Sequence, residues 1–367
     1  MAGNSIKNIA IRNLRGIRQC VLDELADVNI LVGRNGSGKS TVLDAIYLAS
    51  SWAEAMDKIR GIPKHDYVIY RRGGRGDWDK EKSSLWLNHD TSKAVEVTLT
   101  METKESTRLL DFKLLPHKER PLDIGLVSPL LLDMKSLDVP ELPQELKREG
   151  LYVSRLGMVW DPEKRKKEKT NIRNIINESL GKELEFLGNI VLIDKRIKAG
   201  DLERLVWNKV FDRRLDKEVL ELLRDAYVPE AEGILFRPSS RGVRLAVTLP
   251  NTTVDMDNLG DGARYALLYV SPLLLVEDTA VLIEDPEIHQ DPSSLASLVR
   301  MMFKVAKRQS LQLFITTHSI ELINIAKEAS KKYGLDMRIY HLERDKEGDV
   351  RIHTIENVDL DTLQKID

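Results

Sequence analysis

One eight-residue stretch constrains the fold of this chain more than any other feature. Residues 33–40 read GRNGSGKS and fit the pattern G-x-x-x-x-G-K-[ST]. The apolar run VNILV at 28–32, typical of a strand buried on both faces, precedes the stretch, and an apolar-periodic stretch typical of a helix follows at 41–56. Strand, glycine-rich turn and helix in this order predict a phosphate-binding loop in an α/β sheet. The alternative is a glycine-rich turn that matches the pattern by chance.

The residues of this phosphate-binding loop have separate expected roles. Backbone N–H groups of the glycine-rich turn would wrap phosphate oxygens, and the N-terminus of the next helix would add positive potential. We expect Lys39 to reach the β- and γ-phosphates of ATP, and the Ser40 hydroxyl to bind Mg²⁺. The predicted nucleotide-binding residues are Gly33, Arg34, Asn35, Gly36, Ser37, Gly38, Lys39, Ser40 and Thr41.

A second apolar run, whose end lies about 245 residues beyond Lys39, supplies the acidic groups that a P-loop enzyme needs. Residues 280–284 (AVLIE) predict a buried strand, and DPE follows at 285–287. An open α/β sheet places its ligands at the carboxyl ends of such strands. We expect Glu284 to bind Mg²⁺ as well. Asp285 is then expected to polarise the attacking water, with Glu287 as a helper. The alternative is a solvated acidic loop.

A third apolar run ends in polar residues. Residues 312–316 predict a buried strand, and Thr317, His318 and Ser319 follow it. Because the carboxyl ends of parallel strands meet at one edge of a sheet, His318 is a candidate to contact the terminal phosphate. The alternative is a structural histidine at a strand end.

Composition excludes several classes of protein. The chain has 367 residues, a net charge of −2 and a single cysteine, which exclude a disulfide framework and a wholly basic nucleic-acid-coating surface. No run of 18 apolar residues occurs, so we expect a cytoplasmic protein without a membrane partner.

The chain divides into three predicted zones. We expect an N-terminal lobe at residues 1–115, an accessory insertion at 116–189 and a C-terminal lobe at 190–367. Six prolines between 116 and 162 exclude one long coiled coil in the insertion, where a helix is predicted at 172–187. In the C-terminal lobe, apolar runs alternate with helical patterns, which predicts an α/β fold with a parallel sheet and crossover helices.

In this order and spacing, the three motifs resemble those of ABC-type ATPase heads of the SMC and double-strand-break-repair group. The likeness is strongest to the ATPase part of OLD-type (overcoming lysogenisation defect) proteins. It extends over residues 5–101 and 190–341, including IAIRNLRG at 9–16 and TAVLIEDPEIHQDP at 279–292. The resemblance implies a P-loop NTPase with a parallel core sheet, antiparallel N-terminal strands and a helical or accessory insertion. It also implies ATP and Mg²⁺ as cofactors, and His318 as the switch histidine.

A degenerate signature motif is the fourth point of resemblance. It comprises Leu259, Gly260, Asp261 and Gly262. In such heads the signature loop of one protomer caps the ATP bound to the other, so the resemblance implies an ATP-dependent homodimer.

Two departures from the family pattern matter. The usual Asp-Glu pair is Glu284-Asp285 here, so the expected base is one methylene shorter and slow turnover is expected. The glutamine of the Q-loop is missing. His89 or Asp90 is a candidate replacement, and a plain surface loop is the alternative.

The segment at residues 60–75 carries five cations around two tyrosines. These cations are Arg60, Lys64, Arg71, Arg72 and Arg75. The segment is a candidate DNA contact or a source of an arginine for the nucleotide, and a solvated basic loop is the alternative.

The leading hypothesis is an ATP-dependent dimerising switch in DNA repair or anti-phage defence. Only 49 residues follow His318, so we expect no Toprim nuclease domain, and a separately encoded effector such as a nuclease is expected instead. The alternatives are a slow or non-hydrolysing nucleotide-binding scaffold and a transporter ATP-binding cassette. The degenerate signature and the missing glutamine weigh against the cassette.

Overall fold

The computed structural model describes residues 3–74, 78–104, 107–114, 181–196, 205–239 and 242–355, together with four short strands between residues 124 and 169. Its centre is one large mixed sheet of 14 strands, accompanied by a separate three-stranded sheet. Helices pack on both faces of the large sheet.

In chain order the strands are β1 (Ser5–Leu14), β2 (Ile17–Leu22), β3 (Val28–Val32), β4 (Val95–Glu102), β5 (Thr107–Leu114), β6 (Ile124–Val127), β7 (Val153–Ser154), β8 (Met158–Asp161), β9 (Lys166–Lys169), β10 (Val191–Ile193), β11 (Gly233–Ser239), β12 (Gly242–Leu249), β13 (Thr252–Asp255), β14 (Ala280–Glu284), β15 (Gln312–Thr316), β16 (Met337–Arg344) and β17 (Asp349–Ile355). The α-helices are α1 (Lys39–Ser50), α2 (Lys64–Tyr70), α3 (Trp78–Glu81), α4 (181–188), α5 (Trp207–Asp212), α6 (Asp216–Ala226), α7 (Asp261–Leu273), α8 (Pro292–Arg308) and α9 (Ile320–Tyr333).

Five parallel strands in the order β10-β14-β15-β3-β16 form the part of the sheet that carries the motifs. β15 lies between β14 and β3, with Thr316 opposite Glu284 on one side and Leu31 on the other. The carboxyl ends of β14, β15 and β3 therefore lie side by side. The predicted α/β fold with a parallel sheet is confirmed.

The central strands are almost wholly apolar between their ends because both of their faces are buried. Leu282 of β14 packs in a cluster that includes residues of α1, and the next residue, Ile283, packs in the opposite cluster with residues of α7, α8 and α9. Side chains that alternate between two dry faces favour apolar residues until the strand ends. The exception is Asn29 of β3, whose buried amide donates hydrogen bonds to the carbonyl oxygens of Ala26 and Leu313.

On its other side the sheet continues in mainly antiparallel strands. β16 pairs with β17, β17 with β2, β2 with β1, and β1 with β4 and then β5. The antiparallel N-terminal strands expected from the family resemblance are therefore present.

The insertion, for which a helical or accessory structure is expected, needs a correction as far as its helical character is concerned. Between residues 124 and 169 its described parts are strands, β6 to β9, which extend the sheet from β5 by antiparallel pairing. The open edge of β5 provides backbone donors and acceptors for this addition. Of the helix predicted at 172–187, residues 172–180 lie outside the described residues, and α4 covers the rest.

Local chemistry sets the helix boundaries around the motifs. The Asp291 side chain accepts hydrogen bonds from the backbone N–H groups of Ser293 and Ser294 and caps α8, and the Ser319 hydroxyl caps α9. The helix predicted at 41–56 begins two residues earlier and ends at Ser50, so Lys39 and Ser40 belong to the first turn of α1. None of the described helices combines the length and apolar character needed to cross a membrane.

Candidate functional site

The phosphate-binding loop connects β3 directly to α1. At Gly33 φ is 138°, a backbone conformation open to glycine, and a Cβ atom there would collide with the carbonyl oxygen of Leu342 on β16. Gly38 also has a positive φ of 107° and precedes α1 without a side-chain cap. The first-turn N–H groups of α1 therefore face the loop without a capping side chain, as anion binding requires.

The Lys39 side chain folds back over this loop. Its Nζ atom donates hydrogen bonds to the carbonyl oxygens of Gly33 at 2.5 Å and Arg34 at 3.1 Å. Lys39 is buried, with 6% of its surface exposed. The ammonium group is thus held at the centre of the loop, next to the N-terminus of α1.

A cavity of about 570 Å³ lies in front of the loop. Motif residues lining it are Asn35, Gly36, Ser37, Gly38, Lys39, Ser40, Thr41, Glu284, Asp285 and His318. The structure therefore brings the three sequence motifs to one cavity. Of the remaining predicted loop residues, Arg34 lines an adjoining cavity of about 450 Å³ together with His341 and Arg344.

Asp285 is held by the neighbouring strand. Its backbone N–H donates to the Thr316 carbonyl oxygen at 3.1 Å, and the Thr316 hydroxyl donates to its Oδ1 atom at 2.8 Å. The φ angle of Asp285 is 47°, in the left-handed region. This backbone turn ends β14 and leaves the carboxylate on the cavity wall.

Glu287 lies further round the same loop and is not among the residues that line the cavity. Its Oε1 atom accepts hydrogen bonds from the Thr317 hydroxyl at 2.8 Å and the His318 backbone N–H at 3.0 Å. Its Oε2 atom is buried and has no hydrogen-bond partner among the described residues. Burial raises the pKa of this carboxyl group.

The described part of the basic segment, residues 60–74, is not a solvated loop. Residues 64–70 form α2, and Arg71 follows as a buried residue. Its guanidinium group contacts three carboxylates, with Nε 2.8 Å from Asp194 Oδ2, Nη2 2.7 Å from Glu284 Oε2, and Nη1 on Asp44 of α1. One arginine therefore joins α1 to the carboxyl ends of β10 and β14.

Two further arginines complete this cluster. Arg72 lies 3.3 Å from Asp44 Oδ2 and 3.4 Å from Glu284 Oε1, and Arg15 lies 3.4 Å from Asp44 Oδ2. Although burial opposes its ionisation, the neighbouring arginines hold the pKa of Asp44 below its usual range. We call these residues the arginine cluster: Arg15, Arg71, Arg72, Asp44, Asp194 and Glu284.

The prediction that this segment contacts DNA finds no support in the described part. Arg60 is buried against Asp57 at 2.7 Å, and Lys64 is buried and donates to the Ser50 hydroxyl at 2.9 Å. With Arg71, three of the cations thus face carboxylates or hydroxyls of the chain itself. A buried cation is not accessible to a nucleic acid backbone, and Arg75 lies outside the described residues.

The signature residues lie away from this cavity. Of the residues described, none of Leu259, Gly260, Asp261 and Gly262 lines it. They begin α7, and the Gly262 carbonyl oxygen accepts a hydrogen bond from Gln290 Nε2 at 3.1 Å. Gly260 and Asp261 are exposed. The signature motif thus presents an open helix N-terminus on another part of the surface.

The replacement expected for the missing glutamine is also absent from this cavity. His89 and Asp90 are exposed, and neither lines the cavity formed by the described residues. Arg71 and Arg72 line it instead. Sequence reasoning missed Asp44 and Asp194 as partners of these arginines. One signal was available for Asp194, which ends the apolar run IVLI in the way that Glu284 ends β14.

Comparison with known proteins places this chain in a family. The profile described as the AAA ATPase domain matches residues 5–198, more than half of the chain. The chain belongs to this AAA ATPase domain family. A second AAA domain profile matches residues 169–324.

Individual relatives agree with that assignment. The chain is 20% identical to an ATP/GTP phosphatase of Helicobacter pylori over 93% of both proteins. It is 27% identical to the DNA double-strand break repair Rad50 ATPase of Pyrococcus abyssi, over 54% of this chain and 23% of that protein. The Smc head domain of Pyrococcus furiosus, solved with a domain of ScpA, superposes with a TM-score of 0.51 at 13% identity over 99% of this chain and 98% of that one. The fold is therefore that of an SMC/ABC-type ATPase head, and this prediction is confirmed.

Proposed function

We propose that this member of the AAA ATPase domain family binds Mg·ATP in the cavity in front of the phosphate-binding loop and hydrolyses it. The observation that carries the proposal is that this cavity is shared by Lys39, Ser40, Glu284, Asp285 and His318. Phosphoryl transfer to water requires a loop that binds the phosphates, an acidic residue that binds the metal ion and an acidic residue that orients the attacking water.

The residues of the cavity fit a magnesium ion. Ser40 and Glu284 offer hard oxygen ligands, and the described residues contain no group of three or more His, Cys, Asp or Glu side chains that could hold a metal alone. Mg²⁺ in nucleotide sites commonly takes one or two protein oxygens, and phosphates and water complete its shell. When bound, it would neutralise charge that develops on the transferred phosphoryl group.

Asp285 is the proposed acceptor for the attacking water. It lines the cavity, and only its Oδ1 atom is engaged by Thr316. Glu287 is the second candidate, but its Oε1 atom is occupied by Thr317 and His318 and it lies outside the cavity lining. The short side chain of Asp285 favours slow turnover, and a scaffold that binds ATP with little hydrolysis is the alternative.

ATP is further proposed to join two protomers head to tail. In one chain the signature residues and the phosphate-binding loop do not share a cavity. The exposed N-terminus of α7, a helix of 13 residues, is therefore available to the nucleotide of a second copy.

Similarity to Rad50 favours a role in DNA repair or anti-phage defence, with a separately encoded effector such as a nuclease.

Nucleotide binding is tested by Lys39→Ala. Because it removes the cation held at the centre of the loop, we expect ATP affinity to fall by about a hundredfold or more in calorimetry. Lys195→Ala is the matched control: Lys195 lines the same cavity but is exposed and outside the loop, so its loss should weaken ATP far less than Lys39→Ala does. Undiminished ATP binding by Lys39→Ala would contradict the proposed site.

A further inference from the structure

Two arginines contact the carboxylate that is expected to bind Mg²⁺. Arg71 Nη2 lies 2.7 Å from Glu284 Oε2, and Arg72 Nη2 lies 3.4 Å from Glu284 Oε1. Both oxygens of Glu284 therefore already face a positive charge. A divalent cation that uses Glu284 has to displace one of these contacts or compete with it.

Of the two arginines, only Arg72 is placed to be displaced. The Arg71 side chain is 1% exposed and is held by three carboxylates, whereas that of Arg72 is 32% exposed and lines the cavity. Asp44 would keep its contacts with Arg71 and Arg15 if Arg72 left. The Arg72 backbone is anchored by its N–H bond to the Ile69 carbonyl oxygen at 3.2 Å, so the side chain alone would move.

The charges around Glu284 indicate where the Arg72 side chain would move. The arginine cluster contains three arginines and three carboxylates, and Asp194 also contacts Arg60, which is paired with Asp57. Positive and negative charges of this network are therefore equal in number, so a divalent cation at Glu284 adds uncompensated positive charge. The terminal phosphate of ATP is an anion that enters the same cavity. A guanidinium group matches phosphate oxygens well in charge and geometry.

We propose that Arg72 is a displaceable counter-ion that distinguishes ATP from ADP. It neutralises Glu284 Oε1 and would turn to the terminal phosphate where Mg²⁺ is bound beside Glu284, while Arg71 stays in place. The inference rests on the proposed function. Its consequence is that Arg72 stabilises the bound nucleotide only when both the metal and the terminal phosphate are present.

Calorimetry with two nucleotides and two metal conditions tests this. ATP and ADP are titrated into wild type, Arg72→Gln, Arg72→Lys and Lys195→Gln, each in Mg²⁺ and in EDTA. We expect Arg72→Gln to weaken ATP about tenfold in Mg²⁺ and to leave ADP unchanged or slightly tighter, because the metal no longer competes for Glu284. Without metal, ATP and ADP should each change by less than about threefold.

The controls separate a specific contact from general charge. Arg72→Lys keeps a cation suited to phosphate and should retain most of the ATP preference. Lys195→Gln removes an exposed cation of the same cavity and should weaken ATP and ADP equally.

Three outcomes would overturn the inference. The first is an unchanged preference for ATP over ADP in Arg72→Gln. The second is an equal loss of affinity for both nucleotides in that variant. The third is a chain that folds with Arg72→Lys but not with Arg72→Gln, because Arg72 would then have a structural role. If wild type binds neither nucleotide, the proposed function itself fails. If wild type binds and Lys39→Ala does not, only the role of Arg72 is in question.

Discussion

The cavity has two walls of different origin. The motif wall comprises residues 35–41, Asp285 and His318, which lie on or directly after three neighbouring parallel strands. The arginine cluster forms the other wall, and Arg71 joins residues that are 27, 123 and 213 positions away in sequence. Glu284 belongs to both walls. The local sequence pattern determines the motif wall, whereas the pairing of buried charges that are distant in sequence determines the arginine cluster.

This difference indicates different physical roles. Residues of the motif wall face the cavity and keep donors or acceptors available for a ligand, whereas Asp44, Asp194 and Arg71 are buried and satisfied by one another. A buried ion pair is costly to break because one partner is left as an uncompensated charge. Substitution on the motif wall should therefore change chemistry, and substitution at Arg71 should change stability.

The largest expected effect is on turnover at the acidic pair. Asp285→Asn should keep Mg·ATP binding and lower ATP hydrolysis at least about a hundredfold, because the water loses its proton acceptor while the side-chain shape is preserved. Glu284→Gln should weaken Mg²⁺-dependent binding as well. Phosphate release and calorimetry on the same preparations measure both quantities.

Glu287→Gln is the matched control for that prediction. Its carboxylate lies outside the cavity lining, so the hydrolysis rate should change far less than with Asp285→Asn. Hydrolysis at the wild-type rate in Asp285→Asn, with a loss in Glu287→Gln, would transfer the role of base to Glu287.

The next largest effect is on stability at the centre of the arginine cluster. Arg71→Met should lower the free energy of unfolding by about 3–5 kcal/mol, because it leaves three carboxylates without their common counter-ion. Arg72→Met, with a side chain one-third exposed, should cost about 1 kcal/mol or less. Urea denaturation monitored by circular dichroism measures both. Equal losses in the two variants would remove the distinction between Arg71 and Arg72.

The sequence predicted the motif wall well because its information is local. The predicted strands at 28–32, 280–284 and 312–316 have the bounds that the structure shows, since buried parallel strands are continuous apolar runs between polar ends. The parallel order of these strands then places their ends together. The spacing of the motifs therefore sufficed to predict a shared cavity.

The arginine cluster could not be predicted in the same way. The cations at 60–75 were visible in the sequence, but whether they are solvated or paired depends on Asp44, which carries no pattern of its own, and on Asp194, whose only signal is its place after the apolar run IVLI. The strands of the insertion were missed for a related reason. Short strands that lengthen an existing edge are fixed by the backbone of β5 more than by their own side chains.

The smallest expected effect concerns the signature residues of a second copy, which belong to neither wall of the cavity. If the signature of a second copy caps the cavity, Asp285→Asn with ATP should shift the chain towards a dimer in light scattering, because slow hydrolysis preserves the bound state. Gly260→Glu in that background should weaken the dimer about tenfold while leaving ATP affinity nearly intact, since it places an anion where a phosphate has to dock. Gly260 suits this test because a Cβ atom there meets nothing within 4 Å, whereas one on Gly262 lies 3.0 Å from the His289 carbonyl oxygen. Gly260→Ala is the uncharged control and should dimerise normally. A dimer that forms equally well without nucleotide, or that tolerates Gly260→Glu, would contradict capping by a second copy. The site would then consist of the two walls of one chain.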